Sequence, residues 1–273
     1  MGIKDRRIRT LTLCASLLST PALSADPGLQ ATIAPGFDQE IRSCAQRNNT
    51  HTTLKQRQLV QVSSEDGWVR ESTRMMYLKR FADDHVKILF EVTAPASEAG
   101  LKVLVDKKGD ADPVVHVYSP ETGRARRMMS SGASHSVLGT DLTFEDALYF
   151  QTLGDAAVTR RTEDAVIDGH PVFVLQSFPS GQRSAYSRIE AAVDKALCLP
   201  LRVDFHAPNG SLAKRFEADL SRTQSVDGQY FPLASVMHNF AQRSKSEFTI
   251  QSMEAGIELH DRLFSLKAIR KGH

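Results

Sequence analysis

The 273 residues carry 41% hydrophobic and 24% charged side chains, an ordinary globular balance that excludes collagen-like, coiled-coil and low-complexity architectures. The formal net charge of +2 belongs to the start of the chain. Without residues 1–24 the balance is 30 basic against 31 acidic side chains, so no polyanion-binding surface is implied and nucleic acid is not an expected partner.

Lys4, Arg6, Arg7 and Arg9 precede an apolar run from Leu11 to Leu18, and Ala22-Leu23-Ser24 supplies small residues at the spacing a signal peptidase reads. The run is too short for a stable membrane-spanning helix. It predicts a secretory signal over 1–24 and a single mature domain over 25–273, soluble and exported. Arg6-Arg7 fits a twin-arginine signal poorly, and Leu13 before Cys14 is too bulky for a lipoprotein cleavage site. The mature chain keeps Cys44 and Cys198. In an exported chain two cysteines allow one intramolecular disulfide, two buried thiols being the alternative, and a clustered zinc motif is absent.

Residues 26–36, with two prolines and two glycines, predict an unstructured leader. Phe37, Ile41, Cys44 and Ala45 then recur at helical spacing. From Thr53 the period becomes two. Residues 54–63, 68–81 and 86–93 are separated by short breakers, as in consecutive antiparallel hairpins. In the second run Met75, Tyr77 and Phe81 share a face with Lys79, opposite Arg70, Arg74 and Arg80. In the third, Val86, Ile88, Phe90 and Val92 form one apolar face. Residues 101–106, with Val103 and Val105, 114–118 and 124–129 continue the meander.

Residues 132–151 interrupt the alternation. Thr143 followed by Asp146 has the form of a capping box, and Phe144, Leu148 and Tyr149 give the ensuing helix an apolar face. Such a helix on a Ser/Gly-rich tether is either an ordinary crossover or a lid over a cavity. Strand patterns resume over 158–253, with turns at Asp168-Gly169, Asn209-Gly210 and Asp227-Gly228. The total is about ten to eleven strands. Twist and edge protection require such a sheet to curl or close, so the fold class is mainly β: a curved antiparallel sheet or incomplete β-barrel with an N-terminal helix and a central lid-like helix. A barrel of this size encloses more space than side chains fill.

Leu138-Gly139-Thr140-Asp141 and Phe144-Glu145-Asp146, set between a signal, an amphipathic helix and a long meander, resemble the outer-membrane lipoprotein-sorting proteins of the LolA/LolB-like periplasmic carrier superfamily. The resemblance implies an incomplete barrel whose helices cover an apolar cavity for acyl chains, and a periplasmic, non-enzymatic carrier or lipid sensor. It implies lipoprotein acyl chains or membrane lipid as partners, with an inner-membrane transporter, in a monomeric protein that needs no cofactor and no metal. The cavity and lid candidates are Met75, Tyr77, Phe81, Ile88, Phe90, Val103, Val105, Phe144 and Leu148. The alternative is a periplasmic interaction module that presents an edge or concave face to a membrane transporter or signalling protein, without lipid cargo.

Catalytic residues do not assemble from the sequence. Nucleophile-elbow, zincin, P-loop and dinucleotide-binding motifs are absent. Ser134 or Ser136 with His135 and Asp141 lie on one loop and do not converge on a reacting atom. Asp141, Glu145 and Asp146 are explained by capping and turn formation.

Overall fold

The computed structural model describes residues 40–41, 43–44, 47–48, 51–82, 85–109, 111, 113–128, 135–152, 158–179 and 184–270, all within the compact unit Ile33–His273. The expected signal, the 26–36 leader, Phe37, Ala45 and Ser134 lie outside the described residues. Residues 40–41, 43–44 and 47 are helical.

Among the described residues sixteen strands follow one another. The first half holds β1 (Thr53–Ser64), β2 (Val69–Arg80), β3 (His85–Ala94), β4 (Lys102–Lys108), β5 (Val114–Ser119) and β6 (Arg124–Met128). After helix α1 (Phe144–Thr152) come β7 (Val158–Arg161), β8 (Ala165–Ile167), β9 (His170–Phe178), β10 (Arg188–Asp194), β11 (Pro200–His206) and β12 (Leu212–Ala218). The chain ends with β13 (Thr223–Val226), β14 (Gln229–Pro232), β15 (Ala234–Asn239), β16 (Ser244–Ala255) and a short helix α2 (Leu266–Arg270).

Fourteen strands form one antiparallel sheet in the order β6-β5-β4-β3-β2-β1-β16-β15-β12-β11-β10-β9-β7, with β8 paired to β9; β13 and β14 form a separate hairpin. It is a large curved sheet that does not close into a barrel. The expected meander holds from β1 to β6; in the second half β12 pairs with β15, past the β13–β14 hairpin, and β9 pairs with both β7 and β8. The halves are joined by the first and last strands, Leu54 to Ser64 running antiparallel to Ala255 to Ser244. Strands β6 and β7 are therefore the far edges, and the segment between them, including α1, runs from one edge to the other.

Strand alternation sends alternate side chains to opposite faces. On one face Leu54, Leu78, Ile88, Val92, Val103, Val105 and Val115 pack with Val137, Leu138 and Phe144 of the crossing segment. On the same side of the second half, Phe173, Leu175, Ile189, Val203 and Phe205 pack with Tyr149 of α1 and Cys44 of the N-terminal helical segment. The opposite face of β3 and β4 is covered by the C-terminal segment, where Leu89 and Leu104 meet Leu259, Phe264 and Ile269. Both faces of β3 and β4 are thus apolar. The Cys44–Cys198 disulfide is present, closing a loop across 154 residues, and Asn48 donates from Nδ2 to the carbonyls of Leu197 (2.8 Å) and Cys198 (2.9 Å). Among the described residues no helix is long and apolar enough to cross a membrane.

Candidate functional site: a cavity beneath the crossing segment

The crossing segment begins with a tight loop that demands unusual backbone. Leu138 has φ 53° and Gly139 φ 71°, and a Cβ on Gly139 would lie 2.3 Å from Nη1 of Arg70. Glycine supplies both the left-handed conformation and the close approach. Helix α1 then starts with the expected capping box: the Thr143 N–H donates to Asp146 Oδ2 at 2.8 Å, and the Asp146 N–H donates to Thr143 Oγ1 at 3.2 Å.

The same acidic residues fasten the segment to the sheet. Asp146, fully buried, accepts from Lys214 Nζ of β12 at 2.9 Å and from the Tyr186 hydroxyl at 2.6 Å. Lys214 also donates to the Asp141 carbonyl at 2.8 Å. The buried Asp141 carboxylate accepts from Ser244 and Ser246 hydroxyls, both at 2.6 Å, on β16. Glu145 accepts from the Ser184 hydroxyl and the Ala185 N–H. Burial, followed by the Asp146 charge, pushes the Tyr186 phenol well above its ordinary range; burial pushes Tyr149 up to about 12. These are fully satisfied buried groups, the condition under which buried polar networks hold structure together.

Beneath this clamp lies a cavity of about 350 Å³. Its floor is built by Leu54, Gln56 and Gln58 of β1, Arg74, Met76, Leu78 and Arg80 of β2, and Ile88 and Phe90 of β3. Val137, Thr140, Leu142, Ala147 and Phe150 line it from the crossing segment. Phe216, Phe248 and Ile250 line it from the second half of the sheet, and Tyr230 and Phe231 from the β13–β14 hairpin. The lining is mainly apolar with a few polar side chains, the usual make-up of a small-molecule site.

The expected residues divide into three groups. Ile88 and Phe90 line the cavity. Val103, Val105 and Phe144 belong to the adjoining packed core and do not reach the open space. Met75, Tyr77 and Phe81 must be corrected: they lie on the opposite face of the sheet from the cavity. Tyr77 packs there with Leu89, Leu104 and Phe264, and Phe81 stacks on His85 with ring centroids 5.0 Å apart. The cavity face of β2 is instead the one bearing Arg74, Met76, Leu78 and Arg80. Leu148 is half-buried and also absent from the lining, where Ala147 and Phe150 stand in its place. The missed signal was the hairpin register: Met76 pairs with Phe90 and Leu78 with Ile88, so residues opposite a correctly assigned face had to share it.

Within the floor, Gln58 donates to Gln56 Oε1 at 2.8 Å, and Gln56 Nε2 sits 3.5 Å from Met253 Sδ. Arg74 is 2% exposed; Nε and Nη2 donate to Ser72 Oγ, each at 3.2 Å, and Nη2 also to the Leu138 carbonyl at 3.2 Å. Ser136 Oγ accepts from the Gly139 N–H at 3.1 Å, a structural role in the loop, and the His135 side chain is exposed. Among the described residues no three His, Cys, Asp or Glu side chains gather as metal ligands.

Solved structures share this architecture. An outer membrane lipoprotein-sorting protein domain from Vibrio parahaemolyticus superposes with a TM-score of 0.76 at 18% identity, over 85% of this chain and 97% of that one. A DUF1329 family protein from Desulfovibrio piger gives 0.79 at 23% identity, over 87% and 98%. A LolA superfamily protein from Nitrosomonas europaea gives 0.66 at 16% identity, over 84% and 97%. No curated protein matches the sequence. The fold is LolA-like. A family model described as an uncharacterized protein matches residues 84–271, well over half of the chain, and the chain belongs to that family.

Proposed function

We propose that the protein is an exported, periplasmic carrier or sensor that holds an acyl chain, from a lipoprotein or another lipid, in the cavity beneath the crossing segment. The carrying observation is the cavity itself: about 350 Å³ left open in a sheet whose neighbouring residues are closely packed, and lined mainly by apolar side chains. A solid core of this composition would close the space, because interiors pack to crystal-like density. At about 30 Å³ for each water-sized group, the space takes one chain of about a dozen methylenes. Burying ten of them at about 0.8 kcal/mol each gives roughly 8 kcal/mol, micromolar binding before ordering costs are subtracted. The lipoprotein-sorting role named for the Vibrio domain of the same fold supports the reading. It is non-enzymatic and needs no cofactor.

The test is uptake of a fluorescent fatty-acid probe. The wild type is expected to bind it, and Phe90→Glu to lose at least tenfold in affinity, because a charge in the cavity must be desolvated against the chain. The far-ultraviolet circular dichroism should keep its β form, and Val166→Glu, on exposed β8, should bind like wild type. If the wild type takes up no probe, the carrier reading fails and the interaction-module alternative replaces it.

A further inference from the structure

An apolar cargo explains the cavity floor except at Arg74. Its guanidinium is buried at the end of the floor nearest the crossing segment, and every group it bonds is neutral: the Ser72 hydroxyl and the Leu138 carbonyl. Nη1 has no hydrogen-bond partner among the described residues. The acids that could neutralise it are engaged elsewhere. Glu98 is held by Arg70 on the same strand, with Nε to Oε1 at 2.9 Å. Asp141 is taken by Ser244 and Ser246, and Asp146 by Lys214 and Tyr186. A buried cation without an acid partner is costly. Burial, then the like charge of Arg70, with a smaller opposing effect of Glu98, lowers its pKa to about 10.

Next to Arg74 on the same face come Met76 and then Leu78, with Phe90 paired opposite Met76. The floor thus offers the open Nη1 of a buried guanidinium at one end and an apolar track leading away from it. We propose that Arg74 is a head-group subsite for the oxyanion of a single-chain amphiphile, a carboxylate or a phosphate, whose tail lies along Met76, Leu78 and Phe90. This rests on the carrier reading and narrows it: the preferred ligand carries a free acid, unlike an esterified or amide-linked acyl chain. Nη1, whose two N–H groups no described residue uses, donates a charge-assisted hydrogen bond to either acid.

The experiment compares three ligands of one chain length, dodecanoate, dodecyl phosphate and dodecanol, titrated calorimetrically into the delipidated full-length mature protein and its Arg74→Gln variant. Wild type should bind at least one of the two anions at least about tenfold more tightly than the alcohol, and the tighter anion identifies the head group. Arg74→Gln should remove that preference by weakening the anions, with the alcohol unchanged. Equal binding of alcohol and anions by the wild type overturns the subsite while leaving the carrier intact. That comparison needs no variant, so it stands even if Arg74→Gln misfolds. Retention of the full preference by a folded Arg74→Gln also overturns it. If none of the three binds, the carrier reading falls with the subsite.

Discussion

Asp146 shows how one residue serves three levels of structure. Its distance from Thr143 made the capping role legible in the sequence, because that geometry is local. Lys214 and Tyr186, its other partners, lie 68 and 40 residues further along and could not be read from spacing. The Tyr186 phenol, facing Asp146 in a buried site, has its folded pKa raised, and Tyr149 stands at about 12. Unfolded tyrosines ionise near pH 10, so the stability linked to these protons is fully present below about pH 10 and is lost as pH rises above it. The melting temperature should therefore fall steeply above pH 10, with phenolate absorbance from these two rings appearing only on unfolding. Tyr186→Phe should make that alkaline decline shallower. A decline equally steep in the variant would remove Tyr186 from the explanation.

At the scale of elements, the N-terminal helical segment is held to the loop before β11 by the Cys44–Cys198 disulfide and by Asn48. The pairing was one of two readings of the two cysteines that follow a signal-like start, buried thiols being the other. A cross-link over a loop of 154 residues contributes up to about 5 kcal/mol in the chain-entropy model. At about 2–4 °C per kcal/mol for a domain of this size, reduction should lower the melting temperature by up to about 10–20 °C. Thiol labelling of the denatured, unreduced protein should find no free cysteine; two reactive thiols would contradict the pairing. Strand β2 was harder to read. Both faces carry apolar side chains, Met75, Tyr77 and Phe81 on one and Met76 and Leu78 on the other, with the C-terminal segment against Tyr77 and Phe81 and the crossing segment over the other side. Alternation identifies a wet face only when its side chains are polar, and here the less buried face carries Val69, Met75 and Tyr77. The shift in pairing at Thr73 and Arg74 adds to the ambiguity at the position where the buried arginine stands.

For the whole molecule, the sheet's length and curvature followed from strand number and twist, and the motif Leu138-Gly139-Thr140-Asp141 marked the fold. The observed total is sixteen strands against the ten or eleven expected, since short pairs such as β7, β8 and the β13–β14 hairpin carry too few residues to show a period. The joining of β1 to β16 was hidden because it links strands far apart in the chain, Leu54 to Ala255, and no local pattern records such a pairing. That topology leaves β6 and β7 at opposite edges and sends the connecting segment across the face between them, with the cavity below. The central claim is that this space holds a lipid. Its most direct test is mass spectrometry of organic extracts from the protein purified, without detergent, from its native cells. The account predicts a single-chain amphiphile at close to one molecule per protein. Extracts with no lipid above the level of a Phe90→Glu control prepared in parallel would contradict it.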